Sequence, residues 1–387
     1  MKKAIDSVKF ILLIILIFAN SIFFCGCWNY KDIEKSLIIT GLAIDKNKAG
    51  DKYLLTTEVL DFEMGKEEKQ GTSFIESEGK TIFDAVRNAI NIVGKKLYWA
   101  HANIAIVSEE IAKEGLIPVL DFMYRDSEVR TEMNILISRE KTAKELLMQE
   151  LLLSQASSDN IHNMLDEQTT AGKFPNVLVY ELINCIKTEN AVLPVIELKE
   201  ILGKKTAIVT ATGIFEEDRL IGYINSDESQ ALLFAKNEIK GGLISFGIDN
   251  DNKTDEISLE IFKSKTKVKP SYVNNDLTMD IDINVDASIA ELQTSTDYIS
   301  GKNFDKLKKS AEKAVKTSVE NIIQKAQLEY NADIFGFGPK IKGDMPKVWK
   351  SIERDWKNGI FKNLKTNVKV YIKIRNSAFI RKAISLK

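Results

Sequence analysis

The residue with the clearest chemistry is Cys27, which follows a basic start and an apolar run from Phe10 to Phe24. A positive start, an apolar stretch of about fifteen residues and a small residue before the cut describe a secretory signal. Gly26 is that small residue, and bacterial lipoproteins are modified on a cysteine directly after the cut. We therefore predict cleavage before Cys27 and lipidation of its thiol.

Two other interpretations of this segment are weaker. An uncleaved anchor needs about 20 apolar residues, whereas this run is shorter and contains Asn20 and Ser21. Cleavage before Cys25 would place Phe24 at the small-residue position. The lipoprotein interpretation has one departure, because Phe24 stands where leucine is usual. Two acyl chains on one sulfur exceed the limit of marginal single-chain anchoring, so the anchor needs no additional basic patch.

Composition excludes several other kinds of chemistry. The chain has 54 basic and 55 acidic residues, so it lacks the basic excess of a nucleic-acid binder. Cys185 is the one cysteine outside the signal region, which rules out an internal disulfide framework. His101 and His162 are the only histidines, and His101 is interpreted as a structural, hydrogen-bonded residue. No nucleophile or zinc-hydrolase motif accompanies them, so we predict no enzyme, cofactor or metal site.

An acidic segment could be mistaken for a calcium loop. Asp280, Asp282, Asn284 and Asp286 recur at every second position, but an EF-hand needs glycine at the sixth position, where this chain has Val285. The strict alternation instead puts the polar groups on one face of a strand. Like charges along one face oppose strand pairing. We therefore predict a basic neighbouring strand and an apolar face packed on the helix 304–326. The basic candidates are Lys263, Lys265, Lys267 and Lys269, or Lys369, Lys373 and Arg375.

Three further motifs have structural interpretations. Gly336 and Gly338 lack the third glycine of a dinucleotide fingerprint and follow a helix, which favours a tight turn between two packed phenylalanines. The charged clusters Glu109–Glu110 and Arg125–Arg130 fit either a partner surface or a solvated face.

The first half of the chain alternates strands with helices, as α/β modules do. Strands are predicted at 36–45, 53–62, 74–78, 103–107, 132–138 and 193–196. Helices are predicted from Thr81 to Gly94, from Ser108, and at 116–124, 142–153 and 177–186. The polar segment 154–176 fits a flexible segment or a loosely packed helix.

The second half is richer in strands and contains the strongest helical periodicity. Strands are predicted at 207–215, 220–224, 257–269, 277–290 and 368–375, with helices at 226–235, at 304–331 and around Trp349, Ile352 and Trp356. The fold class is a multidomain mixed α/β (α+β) protein, with an N-terminal alternating module and a C-terminal antiparallel or mixed sheet packed by a long helix. The domains are 1–26 (signal peptide), 27–203 and 204–387, the last divisible into 204–250 and 251–387.

Five segments carry a resemblance to a known family. They are Gly26-Cys27-Trp28 with Leu37–Asp45, His101–Arg130, Gly213–Glu228, Asp333–Gly338, and Trp349 with Trp356. On these segments the chain resembles the Ger(x)C family, the lipoprotein C subunits of nutrient germinant receptors in spore-forming bacteria. The segments span nearly the whole chain after Cys27 in the family's order. The departures are Phe24 and the stretch Asn29–Asp32.

The resemblance implies a non-enzymatic protein that is held by lipid on Cys27 at the outer face of the spore inner membrane. Its implied partners are the receptor's A subunit and polytopic B subunit, together with membrane lipid. The implied role is receptor assembly and germination signalling.

A second hypothesis from another class is a solute-binding lipoprotein that delivers a small ligand to a transporter. It predicts a two-lobed cleft at a hinge near Gly203, lined by an arginine and aromatic residues.

Overall fold

The computed structural model describes residues 7, 10–14, 36–61, 71–149, 156–187, 190–250, 253–294, 296–299 and 301–375. Cys27 and the predicted helical residues 150–153 lie outside these ranges. Within them, no helix is both long and apolar enough to cross a membrane.

The described N-terminal half is built on a nine-stranded sheet. Its strands are β1 Ser36–Lys46, β2 Tyr53–Asp61, β3 Gly71–Gly79, β4 Lys96–Tyr98, β5 Ile104–Ser108, β6 Asn134–Ser138, β7 Val192–Ile201, β8 Lys204–Glu216 and β9 Arg219–Asn225. The order is β3-β2-β1-β5-β6-β7-β8-β9, and β4 pairs with β1. Strands β1, β5, β6 and β7 run parallel, and antiparallel hairpins extend the sheet at both edges.

Helices cover both faces of this sheet. They are α1 Ile82–Val93, α2 Glu109–Glu114, α3 Ile117–Arg125, α4 Ala143–Leu147, α5 Ser157–Asp166, α6 Gln168–Ala171 and α7 Val179–Cys185. One face packs against α1, α2, α3 and α7, and the other against α4 and α5. Strands β5 and β6 are buried along their whole length, as expected for parallel strands covered on both faces.

Capping residues in the sequence correctly predicted where helices α1 and α2 begin. Thr81 accepts the Asp84 N–H at the start of α1, and Gly94 ends that helix in the left-handed conformation. Ser108 accepts the Ile111 N–H at the start of α2. These side-chain caps satisfy N–H groups that have no partner within the helix. The polar segment 154–176, left open by the sequence, contains α5 and α6.

A second sheet forms in the C-terminal half, with the order β10-β11-β12-β13. Its strands are β10 Leu243–Asn250, β11 Lys253–Val273, β12 Asp276–Gln293 and β13 Lys365–Arg375. The helices that follow the first sheet are α8 Ser226–Lys236, α9 Gly301–Lys325, α10 Phe337–Asp344 and α11 Pro346–Ile352. A π-type turn, Ala326–Tyr330, extends α9 to Asn331, which confirms the predicted end of the long helix.

Two predictions for this half were wrong. Strand β10 was missed, because Gly247 and the polar end of the segment weaken its strand signal. The single helix expected around Trp349 and Trp356 is broken into α11, a 3₁₀ turn and a π-type turn. Pro346 starts α11, and Gly359 adopts a positive φ of 149° inside the last turn, so a continuous helix cannot form.

The boundary expected after Gly203 lies at a hairpin turn. Leu202 and Gly203 have positive φ angles and connect β7 to β8 within the first sheet, which continues to Asn225. Beyond that residue, α8 packs with Ile214 and Ile224 of the first sheet and with the second sheet in one apolar cluster. As a division of the chain into domains, the boundary stays a prediction.

Candidate functional site

The outer face of the second sheet carries the charged strands singled out in the sequence. Lys269, Lys267, Lys265 and Lys263 of β11 lie directly opposite Asp280, Asp282, Asn284 and Asp286 of β12. The predicted pairing of the acidic strand with a basic neighbour is confirmed. Since residues directly opposite each other lie on the same face, one lysine row runs along one side of the acidic row.

Strand β13 adds a second basic row on the other side of β12. Lys369 lies opposite Asp282, and Lys373 lies opposite Asp286. Asp286 also forms an ion pair of 2.6 Å with Arg375. The acidic row therefore has cationic neighbours on both sides, and its residues belong to a regular strand rather than a calcium loop.

The opposite face of β12 confirms the predicted packing. Met279, Ile281, Ile283 and Val285 are buried and share an apolar cluster with the inward positions of α9. The long helix therefore covers the inner face of the second sheet, which leaves the charged rows on the solvent side.

In the first sheet, buried carboxylates complete helix ends that are distant in the chain. Asp45 accepts the N–H groups of Ala143 at 2.7 Å and Lys144 at 3.0 Å, at the start of α4. The hydroxyl of Thr142, the residue before this helix, donates to Glu145 instead. Burial raises the pKa of Asp45 to about 6, although the two backbone N–H groups act in the opposite direction.

Glu58 does the same for α5. Its carboxylate accepts the N–H groups of Ser157 at 2.8 Å and Ser158 at 3.0 Å, and the hydroxyl of Thr40 at 3.0 Å. Glu58 is fully buried. Asp45 and Glu58 thus stabilise helix N-termini through hydrogen bonds and the helix dipole.

The carboxyl edge of the parallel strands is where open α/β sheets bind ligands. Here the Tyr223 hydroxyl donates to Glu109 at 2.6 Å, and the Arg139 guanidinium lies 4.8 Å from the centre of the Tyr223 ring. Although burial opposes it, hydrogen bonds from Tyr223 and Lys113 hold the pKa of Glu109 below its usual value. These contacts link α2 to β9, so the Glu109 carboxylate joins two elements of the fold and is not a free surface charge.

A cleft of about 1010 Å³ opens at the same edge beside Asp45. Charged side chains dominate its walls, among them Lys46, Glu76, Lys141 and Lys144. Within the described residues, neither an arginine nor an aromatic ring lines this cleft. Leu198 and Lys205, from the two strands that the turn at Gly203 joins, also line it. In the chemistry of its lining it differs from the arginine- and aromatic-lined cleft that the solute-binding hypothesis expects near Gly203.

The turn after α9 brings the predicted aromatic residues together. Phe335 and Phe337 stack with ring centres 5.0 Å apart, which confirms the tight turn between packed phenylalanines. Asp333 accepts the N–H groups of Phe337 and Gly338 at the start of α10. A Cβ on Gly338 would lie 3.1 Å from the indole rings of Trp349 and Trp356, so only glycine fits here without movement of an indole.

The remaining residues with reactive side chains are not assembled into one site. His101 is exposed beside Tyr98, with ring centres 6.0 Å apart, and among the described residues its ring has no hydrogen-bond partner of the kind its expected structural role requires. The other histidine, His162, contacts the side chains of Asn134 and Asp166. Within the described ranges, no three His, Cys, Asp or Glu side chains converge to hold a metal ion.

Two family models match the chain. The model described as "Spore germination protein N-terminal domain" matches residues 29–198, and "Spore germination B3/GerAC like, C-terminal" matches residues 210–378. Together they span most of the chain.

Curated relatives and a solved structure agree with these matches. Spore germination protein B3 of Bacillus subtilis (strain 168) is 26% identical over 368 residues, covering 92% of this chain and 96% of its own. Spore germination protein KC of the same organism is 24% identical, covering 95% of each chain. The crystal structure of the GerBC protein has a TM-score of 0.55 at 20% identity, covering 86% of this chain and 96% of that one. That structural likeness shows the fold, and the family models with the relatives place this chain in the Ger(x)C spore germination family.

Proposed function

We propose that this protein is the lipid-anchored, non-enzymatic C subunit of a nutrient germinant receptor. Lipid on Cys27 holds it at the outer face of the spore inner membrane, where it assembles with the A and B subunits. The match of both family models, across residues 29–198 and 210–378, is the observation that carries the proposal.

The chemistry of the acidic residues supports a role without catalysis. A general acid or base must be free to exchange a proton with a substrate. Asp45, Glu58 and Asp333 each accept two backbone N–H groups at the start of a helix. Each of these carboxylates therefore has a structural role at the start of a helix.

The test is Cys27→Ala, with Cys185→Ala as the matched control. We expect Cys27→Ala to leave the membrane fraction and to lose co-purification with the A and B subunits from spore membranes. Cys185→Ala keeps both properties. Full recovery of Cys27→Ala in membranes would contradict the lipid anchor and favour an uncleaved segment or attachment through partners.

The solute-binding alternative has its own test. Calorimetry of the mature chain with a nutrient amino acid should show no stoichiometric binding if the subunit acts in assembly. Clear one-to-one binding would contradict the proposed role and favour ligand delivery.

A further inference from the structure

The solvent face of strands β11, β12 and β13 between Glu260 and the β11–β12 turn, here called the cationic face, holds more positive than negative groups. Its cations are Lys263, Lys265, Lys267, Lys269, Lys365, Lys369, Lys373 and Arg375, and its acids are Glu260, Asp276, Asp280, Asp282 and Asp286. Glu256 and Glu291 lie on the same side of the sheet, further from this turn. Cross-strand pairing explains one cationic neighbour for each aspartate. The excess beyond that pairing is notable in a chain whose net charge is −1.

The depth of the side chains makes this face more positive than the count suggests. Asp280, Asp282 and Asp286 are half-buried in the central row, whereas the lysines on both sides are exposed. A lysine ammonium lies at the end of a four-carbon stem, so it rises above the short aspartate beside it. Where Arg375 pairs with Asp286, the arginine is 57% exposed and the aspartate 28%. The layer that meets solvent is therefore cationic.

One end of the cationic face is concave and combines lysines with an aromatic ring. An open cleft of about 500 Å³ there is lined by Lys263, Lys265, Lys308 and Lys373, with Asp286 also in its wall. Tyr371 lies in the same cleft and is 55% exposed. Phe262, the residue before Lys263 at a bulge in β11, is 52% exposed. Lysines interspersed with exposed aromatic residues suit the interface between water and lipid headgroups.

We propose that the cationic face docks on an anionic membrane surface, with its lysines binding the phosphate groups of phospholipids. This inference rests on the proposed function, in which Cys27 carries lipid. The eight residues between Cys27 and Ser36 span at most about 30 Å when fully extended. A domain tethered so closely meets the bilayer at high effective concentration. The acyl chains supply attachment, and the cationic face fixes which side of the domain lies on the membrane.

The test uses the mature chain from Cys27 onward with Cys27→Ser, which carries no lipid. The crystallised relative covers 86% of this chain, consistent with folding without the signal segment. Sedimentation would compare vesicles of phosphatidylcholine alone with vesicles containing about 30% phosphatidylglycerol. We expect binding only to the anionic vesicles and its loss in about 0.5 M salt, where the Debye length is short.

The decisive variant is Lys263→Gln, Lys265→Gln and Lys373→Gln together. Each lysine near an anionic surface contributes about fivefold to binding, so the triple variant should bind roughly a hundredfold more weakly. The matched control is Lys302→Gln, Lys309→Gln and Lys313→Gln on the exposed side of α9, which should bind as the parent does. Urea unfolding of both variants verifies that each is folded.

Four outcomes would overturn the inference. One is equal weakening by both triple variants, and another is equal binding to neutral and anionic vesicles. The third is full competition by about 10 mM inorganic phosphate at constant ionic strength, which would indicate a site for free anions. If the first triple variant binds vesicles normally but no longer co-purifies with the A and B subunits, the face binds protein instead. Because the chain tested lacks lipid, failure of the Cys27 anchor would leave these results unchanged.

Discussion

In the first sheet, the acids Asp45 and Glu58 are buried and accept N–H groups from helices that begin 98 and 99 residues further along the chain. In the second sheet, by contrast, Asp280, Asp282 and Asp286 lie on the solvent face between two basic strands. The same chemical group therefore serves two purposes. In one region it joins distant segments, and in the other it balances charge across neighbouring strands.

The surroundings decide how much each arrangement contributes to stability. A buried carboxylate has no water to replace a lost partner, so removing it leaves N–H groups unsatisfied. An exposed cross-strand pair contributes only about 0.2–1 kcal/mol, and salt screens it. Stability should therefore depend strongly on the acids of the first sheet and weakly on those of the second.

The largest effect is expected at Glu58. Glu58→Ala removes three hydrogen bonds from a fully buried site and should lower the free energy of unfolding by about 3–5 kcal/mol. Glu58→Gln keeps one acceptor oxygen and should lose less. Urea denaturation measures both, with Glu78→Ala at an exposed position of β3 as the control. Equal losses for Glu58→Ala and Glu78→Ala would contradict the role of burial.

The next largest effect is a pH dependence of the unfolding free energy that arises from Asp45. Its pKa is raised from 3.8 to about 6 in the folded protein, so between these values the folded state holds more protons than the unfolded state. Stability from this group is therefore highest below about pH 4 and falls by about 3 kcal/mol as the pH rises to about 6.

Asp45→Asn removes that titration. The difference in unfolding free energy between wild type and variant should change by about the same amount between pH 4 and 6. Parallel stability curves for the two proteins would show that Asp45 titrates normally.

A loss of stability of intermediate size, which involves no charged group, is expected at Gly338. A methyl group there meets the indoles of Trp349 and Trp356 at 3.1 Å, so Gly338→Ala should destabilise by about 1–3 kcal/mol. Gly343 lies in the same helix, and nothing is within 4 Å of its Cβ position. Gly343→Ala should leave stability unchanged or raise it by up to about 1 kcal/mol. Thermal melts that rank the two variants in the opposite order would contradict the packing described around Gly338.

The smallest effect is expected in the acidic row. Asp282→Asn removes the charge opposite Lys267 and Lys369 and should cost less than about 1 kcal/mol at low salt. The loss should disappear in about 1 M salt, where the Debye length is about 3 Å. A loss as large as that of Glu58→Ala, or one that salt does not reduce, would remove the distinction between the two sheets.

Local patterns in the sequence were sufficient for much of the second sheet. The alternation of Asp280 and Asp282 with Met279 and Ile281 assigned the two faces of β12, because successive side chains of a strand point to opposite sides. Charge balance then indicated a basic neighbour. The same reasoning could not choose between β11 and β13, and the fold uses both.

The functional residues that sequence reasoning missed are Asp45 and Glu58. Asp45 is the last residue of a predicted apolar strand, and Glu58 lies within another. No neighbouring residue in the chain predicts that either carboxylate caps a helix. The available signal was weak: α5 begins after Ala156, which has no side-chain oxygen to cap it. The free N–H groups of a helix start without its own cap require a hydrogen-bond acceptor from elsewhere, but the sequence does not say from where.

The sequence by itself determined most of the strands, the capped helices at Thr81 and Ser108, the charge rows and the family. These depend on residues within a few positions of each other, where periodicity and hydrogen-bonding reach are fixed by backbone geometry. Only the tertiary structure decided that Asp45 and Glu58 meet α4 and α5, and that two lysine rows enclose one acidic row. The carboxylate contacts join residues about a hundred positions apart, and β13 lies far from β12 in the chain. Both arrangements exist only because the strand order brings the segments together.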